Sequence, residues 1–262
     1  MSPTAAINSW PLYHSMQGVI AHRGASGEAP ENTAPAIRLA HTQGATWAEV
    51  DVTISADGIA VIHHDDDLSR CSNGQGLVVQ HDLLQLQQLD SGSWFNPQFG
   101  GTPILTLHEL LQLAQALPLA LNLELKPAAG LEAATVHAVA ATLAAVEAPP
   151  VLLLSSFSEL ALALAHESLP QLPRALNVDA IPSDWAQRLS QAQATSLHFD
   201  ADAVDLQRLA EIHQAGIATA AFTVNHTDQA SQLWQAGVSA VFSDYPERLR
   251  RHWLQWQAAQ SR

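Results

Sequence analysis

The sequence predicts a single α/β domain of the TIM (β/α)8-barrel class, and three observations support that expectation. The chain has 262 residues, a length that one barrel domain often reaches without splitting. Apolar residues make up 47% and charged residues 14%, as in a globular protein with a substantial core. Short apolar runs alternate with Ala-, Leu- and Gln-rich segments of helical period, which is the pattern of repeated βα units. Eight such repeats favour a closed barrel over an open doubly wound sheet.

The elements follow one another in a regular order along residues 1–262. Strands are predicted near Val19–His22, Ala48–Ile54, Leu119–Leu125, Val151–Ser155, Arg174–Val178, Ser196–Phe199, Ala218–Val224 and Ala240–Ser243. Helices are predicted near Ala34–Gln43, Leu107–Ala116, Leu131–Val146, Ser158–His166, Ser183–Ala192, Ala203–Ala215, Thr227–Ala236 and Glu247–Gln257. A long gap after the second strand holds a hairpin and then a predicted inserted cap, about 69–103, with a short helix near Leu83–Leu89. Long loops in compact domains are usually functional.

Charge and cysteine content exclude several classes of function. The formal net charge is −14, whereas a nucleic-acid-binding protein normally presents a basic face. Cys71 is the only cysteine, so no internal disulfide is expected. The first twenty residues lack the pattern of a signal peptide, and no apolar run reaches the roughly 18 residues of a membrane span. We therefore expect a cytoplasmic protein without a membrane anchor, and the sequence leaves its oligomeric state open.

Charged side chains stand at the carboxyl ends of the first three barrel strands. They are His22, Arg23, Glu49, Asp51, Glu124 and Lys126. Residues two apart on a strand face the same side, so Glu49 and Asp51 point together. Active sites of these barrels lie at this end of the strands. Three carboxylates that converge there need a cation, and an oxygen-only ligand set favours Mg²⁺ or Ca²⁺, with Mn²⁺ as a further candidate, over zinc.

A hairpin brings a second histidine toward these carboxylates. The segment VDVTISADGIAVIHHDDD contains Asp57-Gly58, a strong signal for a two-residue turn. If this pair forms the loop, Asp51 lies opposite His64, and a loop shifted back by one residue places Glu49 there instead. In either register His64 returns to the proposed metal site.

Two histidines beside a divalent cation have the chemistry of an acid–base pair. His22 ends the neighbouring strand, so it and His64 can serve as general base and general acid, with the order of the two left open. Arg23 and Lys126 can hold the oxygens of a phosphate group. Lys126 is also the only lysine in the chain.

Each of these signals also has an ordinary structural explanation. Glu-x-Asp pairs are common on surfaces, Glu-x-Lys can form a simple ion pair, and HHDDD can be a solvated turn. Pro30–Thr33 is interpreted as structural, with Thr33 or Asn32 capping the first helix. His198 ends another strand and is either a neighbour of the site or a packing residue. The joint placement of the charged groups on three successive strand ends favours the functional interpretation.

These motifs resemble those of the glycerophosphodiester phosphodiesterase family. The likeness begins at AHRGASGEAPENTAPAI, continues through EVDVTISADGIAVIHHDDDLSRCSNGQG and LDSGSWFNPQFGGTPILTLHELL, and resumes at LNLELKP, SSFS, FTVN and FSDYPE. It covers nearly the whole chain in order, and the combination of HRG–PENT, E-x-D–HD and E-x-K is highly specific. The resemblance implies a TIM barrel with a small inserted subdomain. It also implies hydrolysis of glycerophosphodiesters to glycerol 3-phosphate and an alcohol with a divalent cation.

The resemblance also implies roles for individual residues. By position these are catalysis for His22 and His64, metal ligation for Glu49, Asp51 and Glu124, and phosphate contact for Arg23 and Lys126. Phe222 stands where many members have Trp before T-x-N, which bears on the shape of the glycerol-side pocket. Trp94 and Phe95 are predicted to close over the alcohol side of the substrate, because a lid excludes water and shapes selectivity. With His198 and Phe222 they are the candidate substrate-pocket residues.

Two other functions fit the same barrel. A phosphodiester lyase would use similar histidines and metal but release a cyclic phosphate, as in phospholipase D-type toxins and phosphoinositide-specific phospholipases C. Such toxins are secreted and usually disulfide-bonded, which a single cysteine does not favour. A non-catalytic carrier or sensor of phosphodiesters would be expected to lack a histidine or carboxylate, and none is missing.

Overall fold

Parallel strands that close into a ring form the centre of the protein, whose computed structural model describes residues 10–16 and 18–260. The strands of this part of the chain are β1 (Gly18–Ala21), β2 (Trp47–Ile54), β3 (Ala60–Ile62), β4 (Ala120–Leu125), β5 (Leu152–Ser156), β6 (Arg174–Val178), β7 (Ser196–Asp200), β8 (Ala218–Phe222) and β9 (Ala240–Ser243). Around the ring the order is β1, β9, β8, β7, β6, β5, β4 and β2, and β2 pairs again with β1. β3 is antiparallel to β2 and stands outside the ring. The predicted TIM barrel is therefore confirmed.

Helices connect the strands of the ring. Those in the described residues are α1 (Trp10–Ser15), α2 (Ala34–Thr42), α3 (Leu83–Leu86), α4 (Leu107–Ala116), α5 (Glu132–Ala144), α6 (Glu159–Ser168), α7 (Trp185–Gln191), α8 (Leu206–Gln214), α9 (Thr227–Gln235) and α10 (Pro246–Gln260). Each predicted helix is present, with ends shifted by a few residues at most. The helix α1 was not predicted from the sequence. No helix of the described residues has the length and apolar character needed to cross a membrane.

Local capping sets where two of these helices begin. At α4, the Glu109 N–H donates to Thr106 Oγ1 at 3.1 Å and the Thr106 N–H donates to Glu109 Oε2 at 2.8 Å, which is a capping box. At α2, Thr33 Oγ1 accepts from the Ala36 N–H at 3.5 Å, and proline stands in the first turn. Of the two residues predicted to cap α2, Thr33 therefore does so, and Asn32 is free for another role.

Alternation along β2 separates an apolar outer face from a mixed inner face. Val50 and Val52 are fully buried in the apolar layer between the ring and the helices. Trp47 lies on the inner face, with Glu49 and Asp51 above it along the strand. The inner apolar cluster around Trp47 includes Tyr13, Met16, Ile20, Leu153, Ala175, Ala218, Ala220, Ala240 and Phe242. α1 thus packs against the amino-terminal end of the barrel, and the carboxyl end is left to polar groups.

The hairpin of β2 and β3 differs from both predicted registers. Val52 faces Ile62 and Ile54 faces Ala60, and the His63 N–H donates to the Asp51 carbonyl oxygen at 3.0 Å. Neither Asp51 nor Glu49 therefore lies opposite His64. The reason is a loop of three residues, 56–58, closed by the Ser55 N–H and the Ile59 carbonyl oxygen at 2.9 Å. Its last residue is a glycine with φ of 78°, as the left-handed position of a three-residue hairpin requires.

The segment predicted as an inserted cap, residues 69–103, contains little regular structure. It holds the 3₁₀-helices Val78–Gln80 and Pro97–Phe99 and the short α3. An apolar cluster of Val61, Leu68, Val78, Leu86 and Ile104 joins it to the hairpin. The segment is therefore anchored beside β3, next to the carboxyl end of β2.

Candidate active site at the carboxyl end of the barrel

Three carboxylates from two neighbouring strands meet inside the carboxyl end of the barrel. The parallel register of β2 and β4 pairs Asp51 with Glu124, and Glu49 lies two residues earlier on β2. One oxygen from each of the three carboxylates lies within 4.8 Å of the others. Glu49 and Asp51 are only 2% and 1% exposed. Within residues 10–16 and 18–260, this group has the geometry to hold a metal ion.

Crowding of these carboxylates has a clear electrostatic cost. Burial, and then the charges of Asp51 and Glu124, hold the pKa of Glu49 well above its usual range. Burial and the charge of Asp51 raise the pKa of Glu124 to about 7. Glu49 Oε1 is buried and has no hydrogen-bond partner among the described residues. A hard divalent cation would neutralise the repulsion and take the free oxygen as a ligand, so the residues fit Mg²⁺ or Ca²⁺.

Arg23 connects the first strand to this carboxylate group. Its backbone N–H donates to Glu49 Oε2 at 3.0 Å, and its Nε lies 3.2 Å from Asp51 Oδ2. Its Nη1 donates to Glu31 Oε1 at 2.7 Å. The backbone φ of 53° is uncommon outside glycine and is held by these contacts. Arg23 therefore both supports the carboxylates and borders the space above them.

Lys126 lies just beyond β4, on the other side of the carboxylates. Its Nζ is 3.5 Å from Glu124 Oε1 and 3.2 Å from His64 Nε2. The side chain is 24% exposed, so its ammonium group faces open space as well as these partners. The structure thus brings the single lysine of the chain next to a predicted metal ligand and a predicted catalytic histidine.

His22 is oriented by a carboxylate that the sequence reasoning missed. Its Nδ1 donates to Asp244 Oδ1 at 2.7 Å, and its Nε2 lies 4.0 Å from Glu49 Oε2. Asn225 Nδ2 donates to Asp244 Oδ2 at 2.7 Å, and Ser26 Oγ donates to Oδ1 at 2.9 Å. Although burial opposes ionisation, the hydrogen bond from His22 is the main cause that lowers the pKa of Asp244 to about 2. The position of Asp244 one residue after β9, in FSDYPE, was the available signal.

His64 has a matching arrangement on the opposite side of the carboxylates. Its Nδ1 donates to Asp65 Oδ1 at 2.5 Å, so its Nε2 atom faces Lys126 and the cavity. Burial lowers the pKa of the His64 imidazole below its usual range. Each predicted catalytic histidine therefore has one ring nitrogen bonded to a carboxylate and the other facing the site.

Two asparagines also support the carboxylates and were not predicted to do so. Asn32 Nδ2 donates to Asp51 Oδ2 at 2.8 Å, and the Asp51 N–H donates to Asn32 Oδ1 at 3.1 Å. Asn177 Nδ2 donates to Glu124 Oε2 at 3.0 Å. Asn32 has φ of 59°, a conformation that asparagine tolerates better than most residues. The PENT segment therefore positions a carboxylate as well as beginning α2.

Most of the predicted catalytic and ligand residues line one cavity of about 130 Å³, whereas Asp51 lies outside its lining. Its lining residues are His22, Arg23, Glu49, His64, Asn122, Glu124, Lys126, Phe157, Asn177, His198, Phe222, Thr223 and Phe242. One wall is charged, and the other is aromatic, with Phe222 5.7 Å from Phe157 and 6.5 Å from Phe242 between ring centroids. The candidate pocket residues His198 and Phe222 both belong to this lining.

The family follows from a comparison with known proteins. The model of the glycerophosphoryl diester phosphodiesterase family matches residues 22–248. The chain belongs to this family. Its expected class, a phosphoric diester hydrolase, is confirmed by that membership.

Relatives and solved structures of this family align with most of the chain. A glycerophosphodiester phosphodiesterase of Bacillus altitudinis is 30% identical over 236 residues, which are 89% of this chain and 96% of that protein. One from Bacillus subtilis (strain 168) is 29% identical over 253 residues, which are 87% of this chain and 83% of that protein. The structure of an Oleispira antarctica phosphodiesterase in complex with the product sn-glycerol-3-phosphate is 43% identical. It has a TM-score of 0.87 and covers 90% of this chain and 96% of that chain.

In this member of the phosphodiesterase family, the two residues predicted to form a lid do not line the cavity. Trp94 and Phe95 are described by the structure, and neither belongs to the lining of the cavity. Their rings contact each other at 5.7 Å, and Phe95 contacts Phe99 at 5.8 Å. Trp94 Nε1 donates to the Ser91 carbonyl oxygen at 2.9 Å. The two aromatic residues thus pack within the insert, and the structure does not bring them to the cavity at the carboxyl end of the barrel.

Proposed function

We propose that this protein hydrolyses a glycerophosphodiester to sn-glycerol 3-phosphate and an alcohol, with one divalent cation and with His22 and His64 as the acid–base pair. The observation that carries the proposal is the pair of carboxylate-bound imidazoles, which line the same cavity as Glu49 and Glu124, two of the three clustered carboxylates. The product named in the Oleispira antarctica complex supports the glycerol phosphate part of the substrate.

The histidines supply the proton transfers. Hydrolysis of a phosphodiester needs a base that takes a proton from the attacking water molecule and an acid that protonates the departing alcohol oxygen. Asp244 and Asp65 each fix one ring nitrogen, so the Nε2 atoms of His22 and His64 are the ones available for transfer. Because both imidazoles line the same cavity, one can act on each side of the phosphorus.

The remaining groups bind the anionic phosphate. Glu49, Asp51 and Glu124 are proposed to hold Mg²⁺ or Ca²⁺, with Mn²⁺ as a further candidate. When bound, such an ion supplies positive charge that stabilises the phosphate oxygens as negative charge builds on them. Lys126 and Arg23 line the cavity and are proposed to contact the other phosphate oxygens. Phe157, Phe222 and Phe242 give the cavity an apolar side, which is proposed to limit the access of water to the bound substrate.

The test is a product analysis with and without the cation. Purified protein is incubated with glycerophosphocholine, glycerophosphoethanolamine and glycerophosphoglycerol, and the products are followed by ³¹P NMR. We expect sn-glycerol 3-phosphate from at least one substrate, loss of activity with EDTA, and recovery with Mg²⁺, Ca²⁺ or Mn²⁺. EDTA that has been saturated with Mg²⁺ beforehand is the control for direct effects of the chelator.

The outcomes separate the rival functions. A cyclic phosphate as the final product would show a lyase, and tight binding without turnover would show a carrier. Full activity in a rigorously metal-free preparation would remove the cation from the proposal but leave the hydrolysis in place.

A further inference from the structure

Arg70 lies beside the active site without lining the cavity, yet it joins two of the residues that orient the catalytic groups. We propose that Arg70 is a positioning residue, which holds Asp65 and Glu31 and through them sets the orientation of His64 and Arg23. The inference rests on the proposed function, because it concerns the same reaction. It assigns the inserted segment a role in catalysis through its second residue.

The contacts of Arg70 are bidentate on both sides. Its Nε and Nη2 donate to Asp65 Oδ2 at 2.5 Å and Oδ1 at 2.9 Å. Its Nη1 and Nη2 donate to Glu31 Oε2 at 2.8 Å and Oε1 at 2.9 Å. One planar guanidinium group therefore fixes the planes of two carboxylates at once, which a lysine cannot do.

Each of these carboxylates holds a group that lines the cavity. Asp65 Oδ1 accepts from His64 Nδ1 at 2.5 Å, and Glu31 Oε1 accepts from Arg23 Nη1 at 2.7 Å. The chain of contacts runs from His64 through Asp65, Arg70 and Glu31 to Arg23. Glu31 belongs to the β1–α2 connection and Asp65 to the end of the hairpin, so Arg70 ties together two loops that are far apart in sequence.

Charge on both carboxylates is maintained by the same arginine. The hydrogen bond from Arg70 is the main cause that holds the pKa of Asp65 below its usual range. Burial opposes the ionisation of Glu31, but hydrogen bonding by Arg70 and the charges of Arg23 and Arg70 lower its pKa to about 2. Without Arg70, each carboxylate would keep one partner and gain rotational freedom.

Orientation of His64 matters because the reaction uses one defined ring nitrogen. A carboxylate bonded to Nδ1 fixes both the tautomer and the direction in which Nε2 points. Without Arg70, the Asp65 side chain would sample other rotamers, and the imidazole ring of His64 would no longer be held in one orientation. The effect should appear mainly in turnover, since Arg70 does not line the cavity and Arg23 is also held by Asp51, independently of Arg70.

The experiment compares Arg70→Ala, Arg70→Lys and Arg188→Ala. Arg188, a partly exposed arginine on α7, is the matched control. Its Nε lies 2.6 Å from Oε1 of Glu159 on α6. For Arg70→Ala we expect kcat to fall about 10- to 100-fold, the range seen when a residue that orients a catalytic ligand or base is lost. KM should stay within about twofold of the wild-type value, since no direct substrate contact is removed and Arg23 keeps its contact with Asp51. Arg70→Lys, which keeps the charge but not the bidentate geometry, should be intermediate, and Arg188→Ala should match the wild type.

A second readout separates positioning from plain stabilisation. In ¹⁵N-histidine-labelled protein, assigned with His64→Gln, the Nδ1–H resonance of His64 should shift or broaden in Arg70→Ala and stay unchanged in Arg188→Ala. Unchanged kcat per folded molecule, whatever the melting temperature, would overturn the inference. So would a loss of kcat with an unaltered His64 resonance.

The design also separates this inference from the proposed function. A wild-type protein that hydrolyses no glycerophosphodiester would defeat the proposed function, while the His64 resonance would still test the contact through Asp65. If Arg70→Ala fails to fold, the same criteria apply to Arg70→Lys, whose charge preserves the attraction to both carboxylates.

Discussion

Replacement of Lys126 by Met tests whether this lysine binds phosphate or only balances Glu124. The two charged groups are 3.5 Å apart, and at an effective dielectric constant of about 20 such a pair attracts by about 5 kcal/mol before desolvation is counted. Partial burial of the ammonium group offsets much of that attraction, since the lysine loses water. Methionine preserves most of the length of the side chain and removes its charge and its donors.

The two roles predict different results for Lys126→Met. If Lys126 contacts the phosphate as charge builds on its oxygens, kcat/KM should fall by about 10²–10³, or about 2.7–4 kcal/mol, the loss typical of one oxyanion donor. Affinity for the divalent cation should be kept or increased, because a neighbouring positive charge is removed. If Lys126 only balances charge, the melting temperature should fall and kcat/KM per folded molecule should be near normal.

Steady-state hydrolysis of glycerophosphocholine, thermal unfolding and titration with Mn²⁺ measure the three quantities. Arg188→Met is the control for a change in net charge, because Arg188 is paired to Glu159 away from the cavity. Near-normal kcat/KM in a well-folded Lys126→Met protein would refute the phosphate contact.

Three further predictions follow from the contacts of the site. Asp244→Asn should lower kcat about 10- to 100-fold with little change in the melting temperature, because His22 loses the carboxylate that fixes its ring; an unchanged pH–rate profile and kcat would contradict this. Trp94→Ala combined with Phe95→Ala should leave the ratio of kcat/KM between choline and glycerol head groups unchanged, because neither ring lines the cavity, and an altered ratio would restore their role as a lid. The pKa of Glu31 is about 2, below its usual 4.5, so its contribution to stability is complete above pH 4.5 and is lost as the pH falls toward 2. The melting temperature of Glu31→Gln should therefore lie below that of the wild type at pH 6 and converge with it near pH 2, and a constant difference at all pH values would argue against the assignment.

The barrel was predictable because its signals are local. An apolar run bounded by turn residues predicted β6 at Arg174–Val178, and the structure has the same bounds. The Thr106–Glu109 capping box marks the first turn of α4 within the sequence itself. The helix α1 gave no such signal, because Tyr13 and Met16 are buried in a cluster most of whose residues come from strands much later in the chain. Short helices are stabilised by tertiary packing, which a periodicity argument does not contain.

The groups that orient the site were harder to predict than the groups that line it. Alternation on β2 was enough to bring Glu49 and Asp51 together. The bond between His22 and Asp244 depends on closure of the ring between β1 and β9, and the two residues are 222 positions apart. The register of the β2–β3 hairpin was predicted wrongly for a different reason. A two-residue loop and a three-residue loop can both place a glycine at position 58, so the sequence does not distinguish them.

The charged groups of the site form one connected system whose balance favours a cation. Around the cavity, six carboxylates and three basic side chains contact one another or the histidines: Glu31, Glu49, Asp51, Asp65, Glu124 and Asp244, with Arg23, Arg70 and Lys126. With neutral histidines and ionised carboxylates this system is negative, so a phosphodiester anion would be repelled from it. Burial first, and then the neighbouring negative charges, raise the pKa values of Glu49 and Glu124. Arg23 and Arg70 are already paired to carboxylates, which leaves little unpaired positive charge for the substrate. On the proposed function, the divalent cation and the phosphodiester therefore bind interdependently, each lowering the electrostatic cost of the other.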